Sequence, residues 1–123
     1  MSFETLGLMP ELTRALSALG YETPTAIQTE AIPLALAGHD LMGGAQTGTG
    51  KTAAFSLPLI QRLAAAGPMQ GTRKPRALVL VPTRELAVQV NDSLKSYGQN
   101  VRLSSTTLFG GVGMKPQVDA LRR

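Results

Sequence analysis

The sequence predicts an α/β domain in which a parallel sheet is flanked by helices, and three observations lead to it. Arg76-Ala77-Leu78-Val79-Leu80-Val81-Pro82 is a continuous aliphatic run, the pattern of a parallel strand covered on both faces. Segments of strand character alternate with segments of helical period, which calls for right-handed crossovers. A glycine-rich stretch lies between a short strand candidate and a helical segment.

The elements follow in chain order. Leu12, Ala15, Leu16 and Leu19 recur at the spacing of one helical face, closed by Gly20. A second helix starts at Thr25, with Gln28 at capping-box spacing and Ile27, Ala31, Leu34 and Ala35 as its expected inner face. Pro33 is expected to kink or restart that helix, because proline has no N–H for an interior turn. Asp40 to Gly44 is the first strand candidate. Lys51 to about Ala66 is helical in composition, with a bend expected at Pro58, and Gly67 to Pro75 is a loop. After the run at 76–82, Thr83 caps a helix whose apolar face is Leu86, Ala87, Val90, Leu94 and Tyr97, ended by Gly98. Val101 to Phe109 is the third strand candidate, and a last helix is expected to start near Pro116. Three strands are few for such a sheet, so a truncated sheet is expected.

Composition narrows the function classes. With 123 residues there is room for one small domain, and 43% hydrophobic with 16% charged residues reads as globular. The absence of cysteine excludes disulfides and thiolate metal sites, and His39 alone cannot build a zinc site. No basic region precedes an apolar stretch at the N-terminus and no run approaches spanning length, so a cytoplasmic protein without membrane contact is expected. A net charge of +4 permits a polyanionic partner without demanding one. The clusters at 73–76 and 122–123 read as a solvated loop and a solvated chain end.

The segment Ala45-Gln46-Thr47-Gly48-Thr49-Gly50-Lys51-Thr52 has the context of a phosphate-binding loop. Glycines let successive backbone N–H groups turn inward towards phosphate oxygens, and the following helix adds the positive end of its dipole. Lys51 is placed to reach the β- and γ-phosphates and the Thr52 hydroxyl to ligate Mg2+. The generic pattern has glycine where this chain has Ala45.

Four segments together resemble the DEAD-box RNA helicases. Gly20-Tyr21-Glu22-Thr23-Pro24-Thr25-Ala26-Ile27-Gln28 is similar to that family's Q motif, with Phe3 at the upstream aromatic position. Residues 45–52 match its form of the phosphate loop, in which alanine comes first. Pro82-Thr83-Arg84-Glu85-Leu86-Ala87 resembles motif Ia, and Gly110-Gly111 the family's glycine doublet. The opening MSFETLGL and the run through Asp40-Leu41-Met42 look closest to the bacterial RhlE-like subgroup.

The resemblance implies a RecA-like P-loop NTPase domain that binds ATP with Mg2+ and contacts RNA without reading sequence. Gln28 would read the adenine edge, Thr23 would lie beside it, and Phe3 and Tyr21 are both candidates to pack near the base. Gln46, Thr47, Gly48, Thr49, Gly50, Lys51 and Thr52 would hold the phosphates, with Lys51 and Thr52 closest to catalysis. Thr83, Arg84, Gly110 and Gly111 would touch RNA phosphates. Each residue also has a plain structural role: Gln28 completes a capping box, Thr83 is an N-cap, and the doublet is a turn.

The family's DEAD tetrapeptide is absent, and no Asp-Glu pair occurs in the chain. The Ser-Ala-Thr and Thr-Pro-Gly-Arg motifs and the second RecA-like domain with its arginine finger are absent too. The chain is therefore expected to be the N-terminal part of the first domain of an ATP-dependent RNA helicase, binding adenine nucleotide without hydrolysing it. An exposed sheet edge is expected to favour self-association. A different P-loop ATPase or kinase is disfavoured by Gln28 and PTRELA, and a non-enzymatic scaffold by the intact Lys51-Thr52 pair.

Overall fold

The computed structural model describes residues 2–45, 50–67, 74–108, 110 and 114–121. A 3-10 turn over Phe3–Leu6 is followed by five helices: α1 (Pro10–Ala18), α2 (Ala26–Leu36), α3 (Lys51–Ala65), α4 (Arg84–Tyr97) and α5 (Met114–Leu121). α2 packs on α3, α3 on α4, and α1 on α4, with the 3-10 turn against α1 and α2.

Local chemistry sets the helix ends. Pro10 opens α1, where its missing N–H costs nothing. After α1, Gly20 has φ +85 and donates to the Ser17 carbonyl, while Tyr21 donates to Leu16. This paired closure of the last turn needs a left-handed residue, which glycine supplies. Gly38 ends α2 in the same way, with bonds from Gly38 to Ala35 and from His39 to Leu34.

The core is helical. Phe3, Leu6, Leu8, Leu12, Leu16, Ile32, Ala53, Leu57, Ile60 and Tyr97 form one buried cluster, with Leu36, Leu94, Val101 and Leu103 packed against it. Burying an aliphatic side chain of this size contributes about 1.5–3 kcal/mol. Leu12, Ala15 and Leu16 face inward as their spacing predicts, whereas Leu19 is exposed. On α2 the expected face is rotated: Gln28 and Ile32 are buried, Ile27, Ala31 and Ala35 lie half-buried, and Leu34 is exposed. The helix is apolar nearly all round, so its pattern does not select a face; packing against α3 does. Pro33 and Pro58 do not interrupt α2 or α3. Each removes one helical bond, and the packing of the two helices on each other offsets that loss.

The expected parallel sheet does not form among the described residues. Residues 40–45, 76–82 and 101–108 are irregular, and no backbone hydrogen bond joins any two of these segments. Phe109, the end of the third strand candidate, lies outside the described residues. Leu78 and Leu80 are 79% and 84% exposed instead of covered on both faces. A strand is defined by its neighbour: without a ladder its N–H and C=O groups turn to water, whatever its side chains prefer. The sheet edge expected to promote self-association is accordingly not formed. α4 and α5 begin at Arg84 and Met114, close to the expected starts.

Candidate nucleotide site and nucleic-acid face

The start of α2 and the start of α3 meet through one amide. Thr25 is the N-cap of α2; its hydroxyl accepts from the Gln28 N–H at 3.4 Å, and its own N–H donates to Gln28 Oε1 at 2.9 Å. The capping box read from the spacing is present. Gln28 is buried, and its Nε2 donates to the Gly50 carbonyl at 3.2 Å. Each end of the amide keeps one further hydrogen-bonding position, one N–H and one lone pair.

Gly50 is the N-cap of α3 with φ +87. A Cβ there would run into Gln28 Nε2 and come within 3.1 Å of both Gln28 Cδ and Thr25 Oγ1. Glycine is thus required twice, for backbone conformation and for space. Lys51 and Thr52 follow as the first two residues of α3, Lys51 exposed and Thr52 half-buried. A cavity of ≈ 380 Å³ at the start of α2 is lined by Thr25, Ala26, Ile27, Glu30, Gly44 and Ala45. Gln46, Thr47, Gly48 and Thr49 lie outside the described residues.

Of the two aromatic candidates, Phe3 is buried in the core and Tyr21 is 53% exposed. Thr23 is also exposed. Tyr97 lies close enough to Tyr21 to feel it: burial chiefly raises the Tyr97 hydroxyl pKa, Tyr21 adds to the rise, and a hydrogen bond with Ser93 opposes it.

A second cavity, ≈ 180 Å³, is lined by Val81, Pro82, Thr83, Arg84, Ala87, Leu108 and Gly110. It brings Gly110 to Thr83 and Arg84, from which it is distant in sequence; Gly111 lies outside the described residues. The Thr83 hydroxyl caps α4 by accepting from the Leu86 N–H at 3.1 Å. The first turn of α4 turns unpaired N–H groups towards this end of the helix. Leu108 forms an apolar wall that sequence reasoning does not assign to the site. Its only signal is proximity to the glycine doublet.

Among the described residues no group of three or more His, Asp or Glu side chains could hold a metal ion, and no helix is long and apolar enough to cross a membrane. The Thr52 hydroxyl is a hard oxygen donor of the kind Mg2+ accepts, but it is one ligand only.

The DEAD/DEAH box helicase family matches residues 25–123. The ATP-dependent rRNA helicase rrp3 of Aspergillus oryzae is 49% identical over 120 residues, covering 98% of this chain and 24% of that protein. The RNA helicase CrhR of Synechocystis is 45% identical over 122 residues, covering 99% of this chain and 24% of that protein. The chain thus spans about a quarter of the length of these relatives. Among solved structures, the RNA helicase Prp28 from Chaetomium thermophilum bound to ADP superimposes with a TM-score of 0.85 at 38% identity, over 98% of this chain and 30% of that one. Dbp5 of S. cerevisiae, bound to RNA and ADP BeF3, gives 0.79 at 34% identity, over 93% of this chain and 28% of that one. The match extends across both the Gln28–Gly50 junction and the cavity beside α4, and the chain belongs to the DEAD/DEAH box helicase family.

Proposed function

We propose that this chain is the nucleotide-holding part of the first RecA-like domain of an ATP-dependent RNA helicase. Its Q motif is 20–28, its phosphate loop 45–52, its motif Ia 82–87 and its glycine doublet 110–111. The observation that carries the reading is the buried Gln28 amide, bonded to the cap of the phosphate helix at Gly50 and keeping one donor and one acceptor for an adenine edge. Guanine carries the O6 acceptor where adenine carries the N6 donor, so adenine is favoured.

Lys51 and the first N–H groups of α3 hold the phosphates, as a helix N-terminus does for an anion. The Thr52 hydroxyl would be this chain's ligand to Mg2+, which would supply charge neutralisation at the phosphates. Thr83, Arg84 and Gly110 bind RNA phosphates beside α4, and Gly111 is assigned the same role from the sequence. Such contacts position the strand without reading its sequence. The RhlE-like placement rests on the opening MSFETLGL and the run through Asp40-Leu41-Met42. Exposed Leu78 and Leu80 offer apolar surface for self-association, which light scattering at high concentration tests.

Calorimetric titration with ADP and GDP tests the nucleotide reading. ADP is expected to bind better, and Gln28→Ala to remove the difference. Equal affinities in the unaltered chain would refute it.

A further inference from the structure

We propose that Leu108 is a specificity-determining residue of the cavity beside α4, through which that cavity takes the sugar of a nucleic-acid strand together with its phosphate, in preference to a bare phosphate chain. The proposal rests on the nucleic-acid reading given under Proposed function and names the part of the strand that the cavity holds.

One side of the cavity suits an anion. Arg84 makes no ion pair and no side-chain hydrogen bond among the described residues. The N–H groups of Arg84 and Glu85, the first two positions of α4, have no helical acceptor. The Thr83 hydroxyl already accepts from the Leu86 N–H. Glu85 is the acidic residue of this turn, yet no carboxylate lines the cavity. An anion placed here meets donors and a free guanidinium, with no lining charge against it.

The other side offers carbon. Val81, Pro82, Ala87 and Leu108 line it with aliphatic side chains only. A free phosphate is strongly hydrated and gains nothing from such a wall. A sugar attached to that phosphate does, because its carbon skeleton can cover apolar surface. No aromatic residue lines the cavity, so bases have no stacking platform there. The wall therefore meets the sugar, which every nucleotide carries, and the contact is indifferent to sequence.

Leu108 is the part of this wall that core packing does not explain. Val101 and Leu103 of the same segment pack against the buried cluster, whereas Leu108 stands outside it and is 51% exposed. It reaches the start of α4 from more than twenty residues away in sequence. Covering it would bury apolar surface that now faces water.

The test compares two ligands at one salt concentration on the 123-residue chain: a labelled single-stranded RNA read by anisotropy, and inorganic polyphosphate read by displacement of that RNA. Polyphosphate carries the charge and lacks the sugar. Leu108→Asn is expected to weaken RNA about fivefold, the scale of uncovering half a leucine, and to leave polyphosphate within about twofold of the unaltered chain. Leu108→Met keeps an apolar side chain and is expected to retain RNA binding. Leu108→Ala serves if the asparagine variant does not fold. Arg84→Gln should weaken both ligands. Equal losses for RNA and polyphosphate in Leu108→Asn would overturn the proposal, as would no loss for either while Arg84→Gln weakens both; the nucleic-acid face would then stand without it. If neither Arg84→Gln nor Leu108→Asn changes RNA affinity, the nucleic-acid reading of this cavity fails and the proposal falls with it.

Discussion

Gln28 donates from its side-chain nitrogen to the carbonyl of Gly50 at 3.2 Å, across twenty-two residues of sequence. That bond ties the segment assigned to the base to the loop assigned to the phosphates. Because Gln28 is buried and also capped by Thr25, it has little freedom to give way.

Gly50→Ala should therefore be far more damaging than Gly20→Ala. Both glycines have positive φ, and an alanine at either costs about 1–2 kcal/mol in left-handed strain. At Gly20 a Cβ meets nothing within 4 Å, whereas at Gly50 it collides with Gln28. Thermal melts of the two variants are expected to differ by at least about 1 kcal/mol, since overpacking typically adds about 1–3 kcal/mol. Equal melts would show that Gln28 moves aside freely.

Ser56→Ala should leave stability unchanged or raise it by up to about 1 kcal/mol. The Ser56 hydroxyl is fully buried on α3 and has no hydrogen-bond partner among the described residues. An unpaired buried hydroxyl carries its desolvation cost without compensation, and alanine is the better helix former. A chemical-denaturation midpoint that falls clearly in the variant would contradict this account.

RNA binding should separate into a charged and an uncharged contribution at the cavity beside α4. Arg84→Gln is expected to reduce the dependence of log K on log salt by about one contact, a slope change of about 0.7–0.9. Leu108→Ser should weaken binding with no change in slope, because it removes an apolar wall and no charge. Fluorescence anisotropy with an arbitrary single-stranded RNA across a salt series reads both. A variant of Arg84 with an unaltered slope would remove that residue from the RNA face.

The chain should bind ADP yet turn over essentially no ATP, with or without RNA. Hydrolysis needs the phosphates held, a metal fixed, the water oriented and the developing charge neutralised. On the proposed reading Lys51 and Thr52 would supply the first and part of the second, and no Asp-Glu pair is present for the rest. An arginine finger alone is worth about three to five orders of magnitude in rate. Phosphate release is expected to match that of Lys51→Ala, and release well above that control would place a catalytic carboxylate within these residues.

Local chemistry makes much of this molecule legible in the order of its residues. The Thr25–Gln28 capping box, the Thr83 cap and the glycine stop at Gly20 each rest on bonds between residues a few positions apart, so spacing alone predicts them. The grouping of Thr83, Arg84 and Gly110 is also expected, though from the resemblance to a family and not from periodicity. What depends on distant partners is not legible in this way. Arg76 to Pro82 has the residue types of a covered strand, yet a ladder exists only where another segment offers its backbone, and none does among the described residues. The inner face of α2 is settled by α3, because a helix apolar on nearly every side has no preferred orientation of its own. Gln61 is the plainest case: its side-chain amide accepts from the Met9 N–H and donates to the Gly7 carbonyl. Nothing in its neighbours marks it, and only the close approach of α3 to that turn makes the two bonds. Capping, turning and helix propensity are short-range and are written in the sequence; pairing, burial and reach between segments are long-range and belong to the tertiary structure.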